Sequence, residues 1–134
     1  MFRAKEQAFC RGKNSLAFHE KKLMSMSEVQ TSIGFADGEI LGCERMGSTV
    51  VVQVKAWNAK LLRVSFKDVQ ALLDLIPSDI SGFYCYDEET ELMCKALSYA
   101  YDEPPMQHPY KHFVFMNNDD QPCFDIVAAE MEIS

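Results

Sequence analysis

From residue 39 onward, apolar and polar positions follow the two-residue period of half-buried β-strands. Three such runs follow one another, at residues 40–45, 49–57 and 61–66, and short polar turns at 46–48 and 58–60 separate them. In the third run, Leu62, Val64 and Phe66 alternate with polar residues, so they should share one face. The pattern predicts an antiparallel meander of three strands, with Phe66 in the core.

The period then changes to helical spacing between residues 67 and 75. Apolar residues recur three or four positions apart on one side, and the run stops at Pro77, which cannot continue a helix. The apolar residues on that side are Val69, Leu72, Leu73 and Ile76. The spacing predicts a helix that covers one face of the sheet.

The second half of the chain contains one ambiguous segment. Residues 80–86 predict a strand interrupted at Gly82, and residues 87–101 place apolar side chains at helical spacing behind an acidic start. Leu92, Cys94 and Ala96 could equally alternate in a strand; we favour the helix. The paired prolines of residues 102–109 predict a loop.

Two final strands, at residues 110–116 and 123–133, are predicted on either side of a turn at 117–122. Together these elements predict an α+β fold: a mainly antiparallel sheet (meander) with one or two helices on one face. Residues 31–134 should form a single domain, because their length suits one hydrophobic core.

Residues 1–30 differ from the rest of the chain. They mix charges without a sustained apolar period, which predicts a flexible or weakly helical leader, or an upstream start, so that the natural start could be Met1, Met24 or Met26. No signal peptide pattern follows the early charges and no apolar run is long enough to span a bilayer, so we expect a cytoplasmic protein without membrane contact.

Charge is unevenly distributed within a net charge of −7. Residues 1–22 carry six Lys or Arg and two Glu, whereas residues 23–134 carry seven Lys or Arg and eighteen Asp or Glu. An acidic body repels phosphate backbones, so nucleic acid is not an expected partner and a basic protein is. The composition does not determine the oligomeric state.

Several chemistries can be tested against residue spacing. Cys85, Cys94, His108 and His112 lack the short paired spacing of structural zinc sites. The five cysteines are scattered and none lies in a nucleophile signature, and nearby acids should raise the pKa of the Cys123 thiol. We therefore predict no catalytic residue, no metal site and no cofactor.

The order of several short motifs points to a family. The segment from Phe35 to Ile40, the strand that ends in Trp57, the run at residues 62–66 and the closing pairs at 113–115 and 126–128 together resemble small uncharacterised bacterial domains. Some of those domains are grouped with the immunity proteins of polymorphic toxin systems, and the similarity covers roughly residues 33–133. The resemblance implies a non-enzymatic protein that binds and neutralises a toxin partner.

Candidate partner-binding residues follow from exposure and charge. The acidic clusters should lie in turns or at a helix start, and Trp57 and Tyr110 are aromatic anchors of the kind that dominate interfaces, although a lone Trp at a strand end more often caps a core. The predicted partner-binding residues are Trp57, Tyr110, Asp87, Glu88, Glu89, Asp119 and Asp120. The alternative is a small enzyme or ligand-binding domain with a pocket near Tyr110, His108 and His112.

Overall fold

A computed structural model describes residues 25–29 and 31–134 of the chain. The described part consists of ten strands and one helix, arranged in two five-stranded antiparallel sheets. The strands are β1 (Met26–Glu28), β2 (Gly38–Met46), β3 (Thr49–Lys55), β4 (Leu61–Lys67), β5 (Ala71–Asp74), β6 (Asp79–Ile80), β7 (Gly82–Tyr86), β8 (Lys111–Met116), β9 (Pro122–Ala128) and β10 (Glu130–Ile133), and the helix is α1 (Glu91–Ala100).

Sheet A has the strand order β1-β7-β8-β9-β5, and sheet B has the order β10-β4-β3-β2-β6. The chain passes directly between the sheets at two corners. Only Ala129 separates β9 in sheet A from β10 in sheet B, and only Ser81 separates β6 from β7. The meander predicted for β2, β3 and β4 is confirmed, with Val54 opposite Leu62 and Val50 opposite Phe66.

The main core lies between the two sheets and is rich in phenylalanine. Phe83 and Phe115 stack with ring centroids 4.2 Å apart, and Phe66 meets the edge of Phe83 at 6.2 Å. Such paired aromatic rings contribute beyond the apolar area that they bury. Phe66 is fully buried, as the alternation of the third run predicted.

Helix α1 covers the other face of sheet A. Thr90 is its N-cap, and the Thr90 hydroxyl accepts a hydrogen bond from the Met93 backbone N–H at 3.2 Å. Met93, Ala96 and Leu97 pack with Val127 in a second apolar cluster. The helical interpretation of this segment is therefore confirmed. The fold is mainly antiparallel and consistent with α+β, but the strands form two sheets where one was predicted, and the described part contains one short helix.

Two predicted elements are wrong. Residues 67–75 do not form a helix; after the chain leaves β4, Asp68 adopts a left-handed conformation (φ 57°) and residues 71–74 form β5, which pairs with β9. The apolar spacing was misleading because both faces of β5 are partly buried, so apolar residues do not alternate with polar ones. Leu72 packs against the main core, and Ala71 packs against the second apolar cluster beneath α1. Residues 123–133 form two strands, because the chain changes sheet at Ala129.

The expected leader included residues 25–29, yet Met26–Glu28 form β1 and pair with Tyr84, Cys85 and Tyr86 of β7. That part of the expected leader belongs to sheet A, since its backbone joins the ladder. Residues 1–24 and 30 lie outside the described residues. Within residues 25–29 and 31–134, no helix has the length and apolar content that crossing a membrane requires.

Candidate partner-binding groove

The loop that follows β5 exposes two large apolar side chains. Leu75 is 61% exposed and Ile76 is 86% exposed. Ile76 has a φ of 55°, which is a genuine outlier for a β-branched residue. The Asp74 carboxylate accepts the Ile76 N–H at 2.7 Å and Pro77 follows directly, so local hydrogen bonding and the proline ring hold the loop in this conformation.

The turn between β8 and β9 is held by one asparagine. The Asn117 side-chain oxygen accepts the N–H groups of Asp119 (2.9 Å) and Gln121 (3.0 Å), and the Asn117 carbonyl accepts the N–H of Asp120 (3.0 Å). Asp120 adopts a left-handed conformation (φ 59°), which aspartate tolerates better than most residues. The turn therefore presents two exposed carboxylates on a defined backbone.

The loop and the turn form the walls of one groove, because the Leu75 N–H donates to the Cys123 carbonyl at 3.1 Å. The groove has a volume of about 570 Å³ and contains two carboxylates, from Asp79 and Asp119, but no Lys, Arg or His side chain. We call it the acidic groove; its lining residues are Leu75, Ile76, Pro77, Ser78, Asp79, Asn117, Asn118, Asp119, Gln121, Pro122 and Cys123.

The cysteine in the groove wall is poorly suited to nucleophilic chemistry. Burial, together with the negative charges of Asp125 and Asp74, raises the pKa of the Cys123 thiol to about 11. Its Sγ also donates to the Phe115 carbonyl at 3.2 Å. The thiolate, which is the reactive form, is therefore scarce near neutral pH.

The second predicted acidic cluster lies where β7 leads into α1, and most of its carboxylates have internal partners. Asp87 accepts hydrogen bonds from Ser25 (2.5 Å) and Ser27 (2.7 Å), and these bonds lower the pKa of Asp87. Glu89 contacts His108, with Oε2 and Nε2 2.8 Å apart. Asp87 and Glu89 thus connect distant parts of the fold, whereas Glu88 is exposed.

A tryptophan at the end of a strand more often caps the core, but Trp57 does not, because 66% of the residue is exposed. It lies at the tip of the β3–β4 hairpin, where Ala59 adopts a left-handed conformation (φ 71°). The Ala56 N–H donates to the Lys60 carbonyl and the Ala59 N–H donates to the Ala56 carbonyl, each at 2.8 Å, and these bonds close the turn. Leu61 beside it is 65% exposed. Trp57 is therefore accessible to a partner, but it does not line the acidic groove.

Tyr110 is buried, with 8% of the residue exposed, and it packs in the cluster beneath α1. Its hydroxyl lies 2.8 Å from the Tyr101 hydroxyl and donates to Asp68 at 3.3 Å. These hydrogen bonds, with burial and the Asp68 charge, raise the pKa of Tyr110 well above its usual range. The ring that we predicted as an anchor therefore contributes to the internal packing.

The two histidines of the alternative site also have internal partners. His112 Nδ1 lies 2.6 Å from the Thr90 hydroxyl oxygen, and His112 Nε2 lies 2.8 Å from the Asp125 carboxylate. Because a carboxylate oxygen accepts, the ring proton at Nε2 donates to Asp125, and the Thr90 hydroxyl can donate to Nδ1 while its oxygen accepts the Met93 N–H. Tyr110 and His108 are neighbours, since the Tyr110 backbone N–H donates to His108 Nδ1 at 3.2 Å, whereas His112 bonds to Thr90 and Asp125. None of the three residues lines the acidic groove.

Among the residues that the structure describes, no three His, Cys, Asp or Glu side chains form a group suited to a metal ion. The groove unites Asp119 with residues that the sequence analysis did not select, Leu75 and Ile76. One signal for them was present: an isoleucine directly before a proline is disfavoured as a helix residue and could have been assigned to a loop.

The chain was also compared with known proteins. Searches of protein-family models, of curated proteins and of solved structures found no match. The functional interpretation of the acidic groove therefore depends on its own geometry and charge.

Proposed function

We propose that this protein is a non-enzymatic binding protein that captures a basic protein partner in the acidic groove. In its more specific form, the proposal is that the partner is a toxin domain whose basic surface is masked and neutralised. The support comes from exposed apolar side chains, from the charge around them and from the hydrogen bonds that hold both walls of the groove.

The observation that carries the proposal is the conformation of Ile76. A β-branched residue in the left-handed region costs about 1–3 kcal/mol, and such strain is characteristic of binding loops. Here the strain accompanies 86% exposure of an isoleucine side chain next to a 61% exposed leucine. Burying these two side chains against a partner would contribute about 1.5–3 kcal/mol each.

The charge of the groove indicates the chemistry of the partner. Asp79 and Asp119 line it, and Asp74 and Asp120 immediately flank its two walls. An apolar centre with a charged margin is the usual arrangement of a protein interface. Carboxylates at the margin accelerate association with a basic surface and repel an acidic one, so the groove favours Lys- or Arg-rich partners.

Site-specific photo-crosslinking tests the proposal in cells. Ile76 is replaced by p-benzoylphenylalanine, and the matched control carries the same group at Tyr99, which is 94% exposed on α1. We expect one discrete crosslinked protein of basic isoelectric point from the Ile76 variant and none from the control. Identical adducts at both positions, or an acidic partner at Ile76, would contradict the proposal.

The crosslinked partner then allows the electrostatic contribution to be measured. Asp119→Lys with Asp120→Asn should slow association at least tenfold at low salt, because charges at the interface margin mainly set the on-rate and asparagine keeps the left-handed conformation of residue 120. Glu88→Lys is the matched control, since it changes an exposed acid outside the groove. For the toxin form of the proposal, expression of the partner alone should arrest growth, and co-expression of this protein should restore it.

A further inference from the structure

Strand β5, which borders the acidic groove, is the last strand of sheet A and has β9 on one side only. The Leu75 N–H donates to Cys123, just beyond the end of the β5–β9 ladder. In an antiparallel ladder the backbone groups of successive residues point to opposite sides. The N–H and C=O groups of Leu73 therefore face β9, and those of Leu72 and Asp74 face away from the sheet.

The outward-facing edge has no backbone partner in the part of the chain that the structure describes. An edge of this kind is a template for another strand, and proteins usually protect it with charges or by keeping the strand very short. Strand β6 has two residues, β1 has three, and β10 presents Glu130 and Glu132 as exposed side chains.

β5 differs from these edges in its exposed side chains. Leu73 is 46% exposed, and the apolar surface continues through Leu75 and Ile76 into the groove. Asp74 lies between them and contributes negative charge at the same edge. The edge therefore combines unpaired backbone groups, apolar side chains and one carboxylate within residues 72–76.

We propose that the partner binds as an extended segment that adds a sixth strand to sheet A along β5. Its backbone pairs with Leu72 and Asp74, its apolar side chains cover Leu73 and Leu75, and its basic side chains approach Asp74 and Asp119. The occupant is thus an extended segment in which apolar and basic residues alternate. This inference rests on the proposed function, because it specifies how the groove captures its partner.

Hydrogen exchange of the free protein provides the first test. We expect the amides of Leu72 and Asp74 to exchange at least tenfold faster than those of Leu73 and Leu75, which bond to β9. Protection of Leu72 and Asp74 in the full chain would show that the edge already has an occupant, and the inference would then be wrong.

The second test uses a synthetic eight-residue peptide of alternating valine and lysine as the probe. Two N-methylated forms of this peptide are also made. In one form the N–H groups along one edge of the extended peptide are methylated, and in the other form those along the opposite edge are methylated. We expect one form to bind like the parent and the other at least tenfold more weakly, with shifts at the amides of Leu72 and Asp74. Equal binding by both forms, or no shift at these amides with millimolar parent peptide, would overturn the inference.

Two variants at residue 74 distinguish the contribution of the backbone N–H, which strand pairing needs, from that of the side-chain carboxylate. Asp74→Pro removes the outward N–H, and Asp74→Ala removes the same carboxylate but keeps that N–H. We expect Asp74→Pro to bind the parent peptide at least fivefold more weakly than Asp74→Ala.

The failures of the two proposals are distinguishable. If Asp74→Pro and Asp74→Ala bound equally while Ile76→Ser and Asp119→Lys still weakened binding, the partner would occupy the groove without forming a strand, and only the inference would fall. If Ile76→Ser and Asp119→Lys did not change the affinity for the crosslinked partner, the proposed function would be wrong as well.

Discussion

Two acidic regions of this protein look alike in sequence and differ in the structure. In the helix-start region, residues 87, 89 and 90 with His108, His112 and Asp125, the polar side chains have hydrogen-bond partners across the fold. At the acidic groove, Asp119 in the wall and Asp120 beside it belong to a turn whose hydrogen bonds come from Asn117 and from the backbone. Substitutions in the first region should therefore change stability, and substitutions in the second should change binding.

The largest effect on stability is expected for Asp125→Ala. Asp125 and His112 are 7% and 5% exposed, and the substitution leaves the His112 Nε2–H without its acceptor. Loss of one member of a buried pair costs about 3 kcal/mol. Urea unfolding measures this loss, and Asp125→Asn, which keeps an acceptor oxygen, should lose less than half as much. A loss below about 1 kcal/mol would show that the contact contributes little to the fold.

Thr90→Val should have the next largest effect, because the Thr90 hydroxyl caps α1 and also contacts His112. Loss of an N-cap costs about 1–2 kcal/mol. Thr90→Ser keeps the hydroxyl and is the control for the altered side-chain shape. Thermal unfolding followed by circular dichroism gives the comparison, and equal stability of the valine and serine variants would be contrary to the expected capping role.

A smaller, pH-dependent effect is expected at Asp87. Its pKa is lowered in the folded protein by the hydroxyls of Ser25 and Ser27. A depressed folded pKa contributes stability that is present above the unfolded value of about 3.9 and is lost as pH falls through the folded value. Urea midpoints measured from pH 6 down to pH 2 should therefore converge for the native chain and Asp87→Ala at the acidic end. A difference that stayed constant over this range would exclude the carboxylate as its cause.

The smallest effect on stability is expected in the groove. Asp119→Lys with Asp120→Asn should change the free energy of unfolding by less than about 0.5 kcal/mol, because exposed charges far from internal partners contribute little and asparagine also tolerates the left-handed conformation of residue 120. The same variant should lose binding to the crosslinked partner, so stability and binding separate. If the double variant lost stability comparable with Asp125→Ala, the distinction between the two acidic regions would be incorrect.

Part of the fold follows from local pattern alone. The alternation around Leu62, Val64 and Phe66 identified β4 and its buried face, because a strand with one face in the core repeats every two residues. The acidic start and apolar spacing before Tyr101 identified α1, whose N-cap and apolar side both lie within twelve residues of sequence. In both elements the buried side chains recur at the period of the element, so the local sequence indicates which face packs against the core.

The remaining features depended on contacts between distant residues. Residues 71–74 form a strand because β9, about fifty positions later, pairs with them, and the groove exists because the Leu75 N–H bonds to the Cys123 carbonyl. Asp87 is structural because Ser25 and Ser27 reach it from about sixty positions away, whereas Asp119 has no such side-chain donor in the described chain. The sequence by itself determined the acidic charge and the meander and favoured the helix over a strand, since these depend on composition and period. Only the tertiary structure decided which carboxylates stabilise the fold and which remain available to a partner, because that depends on which residues the packing of the two sheets brings together.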